Sequence, residues 1–508
     1  MAAARRFSAA VAVVGAGQAG LVVARELLKE GHRVTVFEAG PGVGGTWNVA
    51  PAPEADALGL DPARRRVHSS MYPGLRTNLP RHLMSYLDVP FVPEAMGAAS
   101  HDARLYPLHT EARVLAFLEA YADGLGLRNH VRLNTAVVRL DPIAVAAGGG
   151  SGATASGAAA FAAANGATAN GADAGSGDAA AASGVAHKAP AAAAGGGAAD
   201  GGAAPPPPWG LRWRIPGMRE WPGQQVHSHS FRGGAEFKGQ RVMVVPMLEA
   251  LLPCGPARLA GGGGAVEGLD AIVYCTGYAY ALPLLDHLGL ADTSARPGGH
   301  HVRPLFLHMF PPAAAPSLAL VGLSWRASRP PQFQLQGQLL ARLLSGAAGP
   351  LPPAGALLAA AAADLRALDA AGIPRRYAHC MASFMPQDEW AYAQALVDAA
   401  RPRAAAADGV AADVATGSTE ARAAGCGEGA CGGPEAPPLL EMPAWMVALA
   451  KASSSDILER PDSFRDVFLE QLRAALPVAE ARCGALLLHG DGARVATAAA
   501  KGVRALVP

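Results

Sequence analysis

The stretch VAVVGAGQAGLVVARELLKEGHRVTVFEAG, residues 11–40, constrains the fold of this chain more than any other feature. An apolar run ends at Gly15, a helix-patterned segment begins near Gly20, and a second apolar run follows. The pattern predicts a strand, a glycine turn, a helix and a second strand in an α/β fold. The continuous run Val11 to Val14 is typical of a parallel strand that is buried on both faces.

The spacing of the glycines predicts what the turn binds. Gly15 allows a tight turn, Gly17 a close approach of backbone to a pyrophosphate, and Gly20 close packing of the helix on the strand. The helix N-terminus adds free N–H groups and the positive end of its dipole. We therefore predict a dinucleotide site, with a merely structural glycine turn as the alternative. Its predicted turn residues are Gly15, Ala16, Gly17, Gln18, Ala19 and Gly20.

Two features downstream of the helix bear on the identity of the dinucleotide. Glu38 follows the second apolar run, where a carboxylate accepts hydrogen bonds from ribose hydroxyls. A second glycine bend, formed by Gly44, Gly45, Thr46 and Trp47, comes shortly afterwards. A bend of this kind lets a flavin cofactor extend past the first domain, although it is also explained by a tryptophan that anchors a turn. The order of the motifs favours FAD over NAD.

Composition limits how much of the chain can fold. Residues 144–208 and 402–438 are almost wholly alanine and glycine with some serine, aspartate and proline. Such segments bury too little apolar surface to offset the entropy of ordering them, which leaves roughly 400 residues to fold. No run approaches the roughly 20 strongly apolar residues that cross a bilayer, so no membrane span is expected. The N-terminal apolar run is interpreted as a strand and not as a signal peptide.

Charge and cysteine content exclude further classes. The net charge is +1 and the basic cluster is limited to residues 64–66, so we expect no nucleic-acid partner. Six cysteines in a long chain without a secretory signal fit a reducing compartment, and we expect a cytoplasmic protein. Cys426 and Cys431 lie in a glycine-rich segment without a nearby histidine, so we expect no metal site there.

Several further motifs, in order along the chain, resemble those of the flavin-containing monooxygenases. The resemblance is to the plant branch that S-oxygenates thioethers, the glucosinolate S-oxygenase-like enzymes, and it spans roughly residues 9–142 and 209–400, with a trace at 460–468. It is carried by GAGQAG, GGTWN, VHSSMYPGLRTNLPRHLMSYLDVPF, YPLHTEARVLAFLEAYADGLGL, WPGQQVHSHSF, LDAIVYCTGYAY, LFLHMFPPAAAPSLALVGLSW, FQLQGQLLARLLSG and RPDSFRDVF.

The resemblance implies roles for particular residues. Asn78 stands where the family has its active-site asparagine, although an asparagine before Leu-Pro also caps turns. Trp221, Gly223, His227 and Phe231 match the family fingerprint, which we interpret as a structural element near the second nucleotide site. Further residues that the resemblance places at the flavin cofactor are Thr77, Thr276, Gly277 and Gln336.

The resemblance also implies the chemistry. NADPH reduces FAD, the reduced flavin reacts with O2 to a C4a-hydroperoxide, and one oxygen atom passes to a soft nucleophile of a small molecule, a thioether sulfur or an amine nitrogen. The protein positions the cofactor and screens it from water, and needs neither a catalytic triad nor a metal.

One part of the family pattern is missing. The strand QRVMVV is followed by Pro246, and only 24 residues separate Val245 from Asp270. One strand–helix–strand unit needs about 30 residues, and no glycine-rich phosphate loop follows the strand. We therefore predict that the second nucleotide domain is truncated, that the segment from Arg241 to Asp270 packs poorly, and that NADPH has lost its site. The strand that would return the chain to the first sheet after LRWRI is missing as well.

These observations give a domain division and two alternative functions. The alternatives to a monooxygenase are a non-catalytic remnant that binds FAD and a flavin oxidase that needs no NADPH. The proline run at 205–208 would offer a partner ligand in the first case.

The predicted parts are a FAD-binding domain at 1–142 and 270–400, an insert at 143–208, a remnant of the NADPH-binding domain at 209–269, a linker at 401–440 and a C-terminal segment at 441–508.

Overall fold

A computed structural model describes residues 7–506, with gaps at 50–51, 62–63, 65, 73–74, 92–109, 143–214, 216, 246–247, 252–256, 260–263, 279, 291–300, 403–436 and 460–469. The strands are β1 (Ala10–Val14), β2 (Arg33–Phe37), β3 (Val131–Arg132), β4 (Gln224–His227), β5 (Val242–Val245), β6 (Leu248–Leu251), β7 (Ala257–Leu259), β8 (Ala265–Val266) and β9 (Ala271–Tyr274). The helices are α1 (Gln18–Lys29), α2 (Thr110–Gly124), α3 (Arg329–Ser345), α4 (Ala354–Ala370), α5 (Glu389–Ala400), α6 (Ala444–Glu459), α7 (Glu470–Leu487) and α8 (Gly490–Leu506).

The first sheet has the parallel order β1-β2-β3 and contains the strand–turn–helix–strand unit predicted from the sequence. Helix α1 buries Leu21, Val23 and Leu27 in the main core. The opposite face of β1 differs from expectation, because Val14 is 46% exposed and Ala10 and Ala12 are exposed as well. The prediction of burial on both faces is therefore wrong for the part of the chain that the structure describes, in which only one face of β1 is covered.

Helix α3 packs across α1 and is buried along almost its whole length. Gly337 lies at the crossing, where an added Cβ atom would be 3.1 Å from the Cα atom of Val23. A larger residue at this position would force the two helices apart, because a close-packed interior has no spare volume. The glycine therefore fixes the distance between the helix that follows the first glycine turn and the helix that carries Gln336.

A buried charge cluster joins α1 to the C-terminal helices. The Arg25 guanidinium donates two hydrogen bonds to the Asp88 carboxylate, at 2.9 and 2.8 Å, and also pairs with Asp491 at the start of α8. Burial would raise the pKa of Asp88, but the charge and hydrogen bonds of Arg25 lower it to about 2. Arg81 pairs in the same way with Glu480 of α7. These ion pairs anchor α7 and α8 on the first domain.

The second sheet is also parallel and has the order β4-β9-β5. Its central strand β9 is buried along its whole length, with Ile272 and Tyr274 in one small core and Ala271 and Val273 in another. The predicted boundary between the remnant of the NADPH-binding domain and the second part of the FAD-binding domain, at residue 270, falls just before β9 of this second sheet. The domain division itself stays a prediction.

The connection between β5 and β9 differs from the one expected for a packed nucleotide domain. Strands β6, β7 and β8 form a three-stranded antiparallel sheet in place of a helix. Val245 is 3% exposed and packs in one core with Ala257 and Tyr274. For the described residues of this segment the prediction of poor packing is therefore wrong, because Val245 and Ala257 lie in a core and the short strands are hydrogen-bonded to one another. The described residues between β5 and β9 contain no helix, as the spacing in the sequence predicts.

Other expectations fall partly outside the described residues. Five of the features named above lie outside the described residues: the RPDSFRDVF stretch, the proline run at 205–208, Cys254, Cys426 and Cys431. In the ranges that are described, none of the helices combines the length and the apolar character needed to span a bilayer. Cys275, Cys380 and Cys483 carry free thiols.

Candidate functional site

The first glycine turn has a geometry that only glycine supports. Gly15 has φ +97°, which L side chains rarely adopt, and its N–H donates to the Phe37 carbonyl at 2.8 Å. An ideal Cβ atom on Gly20 would lie 1.9 Å from the Gly15 carbonyl oxygen, far inside van der Waals contact. The start of α1 therefore packs directly against the turn. On the other side of the turn, a Cβ atom on Gly15 would meet nothing within 4 Å.

The N-terminus of α1 is left without a side-chain cap. Gly17 is the N-cap residue and has no side chain that could accept the first N–H groups of the helix. The side-chain amide nitrogen of Gln18, Nε2, is buried and has no hydrogen-bond partner among the residues that the structure describes. Free N–H groups at a helix N-terminus, beside an amide donor that lacks an acceptor, suit an anionic ligand such as a pyrophosphate.

Glu38 lies beside this turn, at the end of β2. One oxygen of its carboxylate accepts the Ala16 N–H at 2.7 Å and the other accepts the Gly40 N–H at 2.7 Å. The two bonds hold the carboxylate at the edge of the glycine turn, where its remaining lone pairs can accept from ligand hydroxyls.

The second glycine bend packs on the first. The Gly44 N–H donates to the Ala16 carbonyl at 2.9 Å, and Gly44 has φ +118°. A Cβ atom added to Gly45 would lie 2.9 Å from the Cα atom of Gly17. Thr46 and Trp47 complete the bend, and Trp47 packs against the main core. The structure thus brings both glycine motifs and Glu38 into one cradle.

Residues that sequence reasoning missed hold this cradle in place. The Tyr86 hydroxyl donates to the Gln18 carbonyl at 2.7 Å, and the Ser69 hydroxyl donates to the Thr46 carbonyl at 2.5 Å. One ring nitrogen of His68 lies within hydrogen-bond distance of the Gly45 and Asn48 carbonyls, at 3.1 and 2.8 Å. No local spacing marks these residues, because each acts on a partner more than 19 residues away in the chain.

Thr77 and Asn78 differ in their surroundings. The buried Thr77 hydroxyl donates to the Leu79 carbonyl at 2.8 Å, which fixes the backbone on either side of Asn78. Asn78 itself is exposed. Its amide is therefore free to meet a bound molecule, and its assigned role stays a prediction.

Gln336 lies deep in the protein, on α3. Its amide oxygen accepts the Gly322 N–H at 3.1 Å, and its amide nitrogen donates to the Tyr392 hydroxyl at 2.7 Å. Gly322 has φ +89°, and a Cβ atom there would lie 3.7 Å from the Cβ atom of Ala19. Gln336 therefore positions a loop that borders the glycine turn, and its direct contact with a cofactor stays a prediction.

Thr276 and Gly277 follow β9, in the second sheet. The Thr276 hydroxyl lies 3.3 Å from Nε2 of His227, and the Nδ1 atom of His227 accepts the His229 N–H at 3.2 Å. His227 therefore carries its proton on Nε2 and bonds β4 to the end of β9. The structure supports a structural role for the fingerprint: the Trp221 ring lies over Gly223, where a Cβ atom would be 2.1 Å from a ring carbon.

The side chains of the fingerprint also reach the first domain. The Ser70 hydroxyl lies 2.7 Å from Nδ1 of His229, and Nε2 of the same ring lies 3.3 Å from Glu54. Burial alone would raise the pKa of Glu54, but N–H donation from Val67 and the hydrogen bond and charge of Arg64 together lower it. His229 thus links β4 to the segment that wraps the second glycine bend.

We expect His227 to make the protein less stable in acid. Burial, and then the neighbouring His229, lower its pKa from 6.5 to about 4. Between these pH values the unfolded chain takes up a proton and the folded chain does not, so stability falls as pH falls through this window. The contribution of one such histidine is at most about 1.4 kcal/mol per pH unit.

The measurement is urea unfolding of the parent and of His227→Asn between pH 7 and pH 4.5, where the variant should show a shallower loss. Thr276→Val removes the hydrogen-bond partner and leaves the titrating group, so it should lower stability and keep the parental slope. Equal slopes in the parent and His227→Asn would contradict the assignment.

Comparisons with known proteins agree with this geometry. Residues 13–61 match the family model of an NAD(P)-binding Rossmann-like domain. The chain is 34% identical over 424 residues to the flavin-containing monooxygenase FMO GS-OX-like 2 of Arabidopsis thaliana, a match that covers 75% of this chain and 83% of the relative. It is 33% identical to FMO GS-OX5 of the same plant, over 73% of this chain and 81% of the relative.

A solved structure shows the same fold. The S-allyl-L-cysteine S-oxygenase of Allium sativum superposes with a TM-score of 0.65, at 24% sequence identity, over 95% of this chain and all of that one. At this level of identity the likeness extends to the fold.

Proposed function

The chain belongs to the flavin-containing monooxygenase family, and from this premise we propose that it transfers one oxygen atom from O2 to a soft nucleophile of a small molecule, a thioether sulfur or an amine nitrogen. The second oxygen atom leaves as water. The two electrons come from NADPH in this reaction, and we propose that this chain is impaired at that step because the connection after β5 leaves no phosphate loop. FAD is the flavin in this proposal.

The observation that carries the proposal is the cradle formed by the two glycine motifs. The uncapped N-terminus of α1, the unpartnered amide of Gln18 and the glycine at position 17 suit a pyrophosphate. Glu38 stands at the edge of the same turn. These residues fit FAD, which supplies the redox chemistry and the activation of O2 when it is bound. Thr276, Gly277 and Gln336 are proposed to border it.

Asn78 is the residue that we propose to act next to the reacting atoms. An amide can donate and accept without changing its charge, so it orients a polar group and leaves the acid–base balance of the site unaltered. The hydrogen bond of Thr77 to the Leu79 carbonyl holds this part of the chain. Asn78 is therefore proposed to hydrogen-bond at the reaction centre. The partners of the protein in this proposal are a small nucleophilic substrate and O2.

Asn78→Asp is expected to lower oxygenation at least about ten-fold, because a carboxylate replaces a donor with a negative charge and one misplaced electrostatic group costs of the order of 10²-fold in rate. FAD content should stay close to that of the parent. The measurement is a single turnover: the FAD-loaded protein is reduced with dithionite, mixed with O2 and methyl p-tolyl sulfide, and assayed for sulfoxide. This design does not depend on NADPH.

Asn129→Asp is the matched control, since it makes the same charge change at an exposed position in the turn that precedes β3. It should retain parental sulfoxide yield. Equal yields from Asn78→Asp and the parent would contradict the role of Asn78. No sulfoxide from the FAD-loaded parent would contradict the proposed function itself.

A second candidate function is favoured by the connection after β5. Only two residues, 246 and 247, separate β5 from β6, so a phosphate loop and a helix cannot stand between them. This observation favours a protein that binds FAD and accepts no electrons from NADPH, either a non-catalytic remnant or an oxidase. Bleaching of the flavin by NADPH supports a monooxygenase, bleaching by substrate alone supports an oxidase, and no bleaching supports the remnant.

A further inference from the structure

A cavity of about 830 Å³ lies beneath α4, and none of the residues predicted to bind the cofactor lines it. The helix contributes an apolar wall that includes Leu358, Ala361 and Leu365, and Met385 adds to it. Cavities of about 300–1,000 Å³ with an apolar lining and a few polar groups are typical of small-molecule sites.

The polar side of the cavity contains a pair of neutral histidines. Nδ1 of His308 lies 3.1 Å from Nδ1 of His379, so the two atoms share one proton. Burial lowers the pKa of His308 to about 4, and burial followed by the charge of His308 lowers that of His379 to about 3. Gln387, a hydrogen-bond partner of His308, also lines the cavity. At neutral pH all three side chains are uncharged polar groups that hydrogen-bond to one another or to the backbone at the cavity wall.

The histidine pair can exist in two tautomers. Nε2 of His379 lies 3.1 Å from both the nitrogen and the carbonyl oxygen of Val302, so it can accept from one or donate to the other. This choice determines which of the two Nδ1 atoms, that of His308 or that of His379, carries the shared proton. A hydroxyl group both donates and accepts, and therefore suits either tautomer.

The charged groups at the cavity point to an uncharged ligand. Arg303 and Asp364 both line it and carry opposite charges. An anion or a cation would therefore gain little from the lining and would lose its hydration.

The backbone next to the histidine pair is strained. Leu307 and His308 have φ values of +49° and +52°, two consecutive non-glycine residues in the left-handed region. Each such residue costs of the order of 1–3 kcal/mol and persists only where its surroundings fix it. The Tyr392 hydroxyl supplies one constraint by donating to the Leu307 carbonyl at 2.8 Å.

The same tyrosine connects the cavity with the glycine turn. Its hydroxyl accepts from Gln336, which in turn holds Gly322 beside Ala19. The ring of His308 also packs edge-on against the Tyr392 ring, with the centroids 5.2 Å apart. A chain of hydrogen bonds therefore runs from the cavity wall to Gly322, which lies close to Ala19 in the first turn of α1.

We propose that the cavity beneath α4 binds an uncharged small molecule with an aromatic or aliphatic body and a hydroxyl head, and that its occupancy changes the affinity of the glycine turn for FAD through Tyr392 and Gln336. The effect on FAD rests on the function proposed above, whereas binding in the cavity does not.

Binding is tested on the FAD-loaded full chain by ligand-observed NMR and calorimetry with 4-methylphenol. The anion 4-methylbenzoate has the same ring and should bind at least about ten-fold more weakly. Ala361→Trp and the smaller change Ala362→Phe both fill the cavity from α4 and should abolish binding of 4-methylphenol. Ala363→Trp places the same bulk on the exposed side of α4 and should leave binding intact.

Coupling is tested by titrating FAD into apoprotein with and without 4-methylphenol. Linked sites typically change each other's affinity by about 5-fold or more, and a shift of this size is expected in the parent and in Ala363→Trp. Tyr392→Phe should still bind 4-methylphenol and lose the shift.

Three results would overturn the proposal: no binding of 4-methylphenol to the parent, unchanged binding in both cavity-filling variants, or an FAD affinity that does not respond to the bound phenol. Failure of the flavin site itself is distinguishable, because the apoprotein would then bind 4-methylphenol and not FAD.

Discussion

Gly17→Val is expected to yield a folded protein that retains no FAD. A Cβ atom at this position would lie 3.4 Å from the Cα atom of Gly45, an ordinary contact, so the turn leaves room for a Cβ atom. The branched Val side chain would instead fill the space through which the backbone approaches a pyrophosphate. The measurement is the ratio of flavin absorbance to protein after purification, with circular dichroism to confirm folding.

Two other glycines make this experiment specific. Gly234→Val is the control, because a Cβ atom at Gly234 meets nothing within 4 Å and its φ of −87° is open to any residue. That variant should retain full flavin content. Gly20→Ala is a poor probe of the ligand, since its methyl group would overlap the Gly15 carbonyl and disrupt the turn itself. Full flavin content in Gly17→Val would show that the pyrophosphate lies elsewhere.

The first domain could be predicted from sequence because its information is local. Two apolar runs, the three motif glycines and Glu38 fall within 30 residues, and they specify β1, the turn, α1 and β2 together. The position of Glu38 beside Ala16 follows from the same pattern, since the carboxyl ends of adjacent parallel strands meet at one edge. The motif glycines of the cradle and Glu38 were therefore predictable residue by residue, and FAD as the ligand stays a prediction.

The exposed face of β1 was not predictable in the same way. An apolar strand such as Val11 to Val14 shows that burial is possible on both faces, but the cover has to come from elsewhere in the chain. In the described structure, α1 covers one face, and Val14 on the other is 46% exposed. Local pattern determines which residues can be buried, and tertiary packing determines which of them are.

Long-range hydrogen bonds limited prediction of the site. Tyr392 reaches Gln336 and Leu307, which lie 56 and 85 residues away, and nothing in the residues around it marks that role. The antiparallel sheet of β6, β7 and β8 was missed for another reason: its strands are only two to four residues long and are interrupted by proline and glycine, so the pattern resembled a loop.

The arrangement of the second sheet leads to the last expectation, that NADPH binds this chain only weakly. In a doubly wound nucleotide domain, the pyrophosphate sits on the N-terminus of the helix that follows the first strand. Here β5 leads after two residues into β6, and the described residues between β5 and β9 contain no helix. The described ends of this segment are packed, since Val245 and Tyr274 share a core.

Thermal unfolding with each nucleotide measures the difference between the two sites. FAD at about 100 times its dissociation constant should stabilise the apoprotein by about 2.7 kcal/mol, whereas millimolar NADPH added to the FAD-loaded protein should change its stability little. NADP⁺ titrated by calorimetry serves as the redox-inactive control. A micromolar dissociation constant for NADPH would show that β6, β7 and β8, or a partner subunit, provide a second nucleotide site. The truncation inferred from the β5–β6 connection would then have no functional consequence.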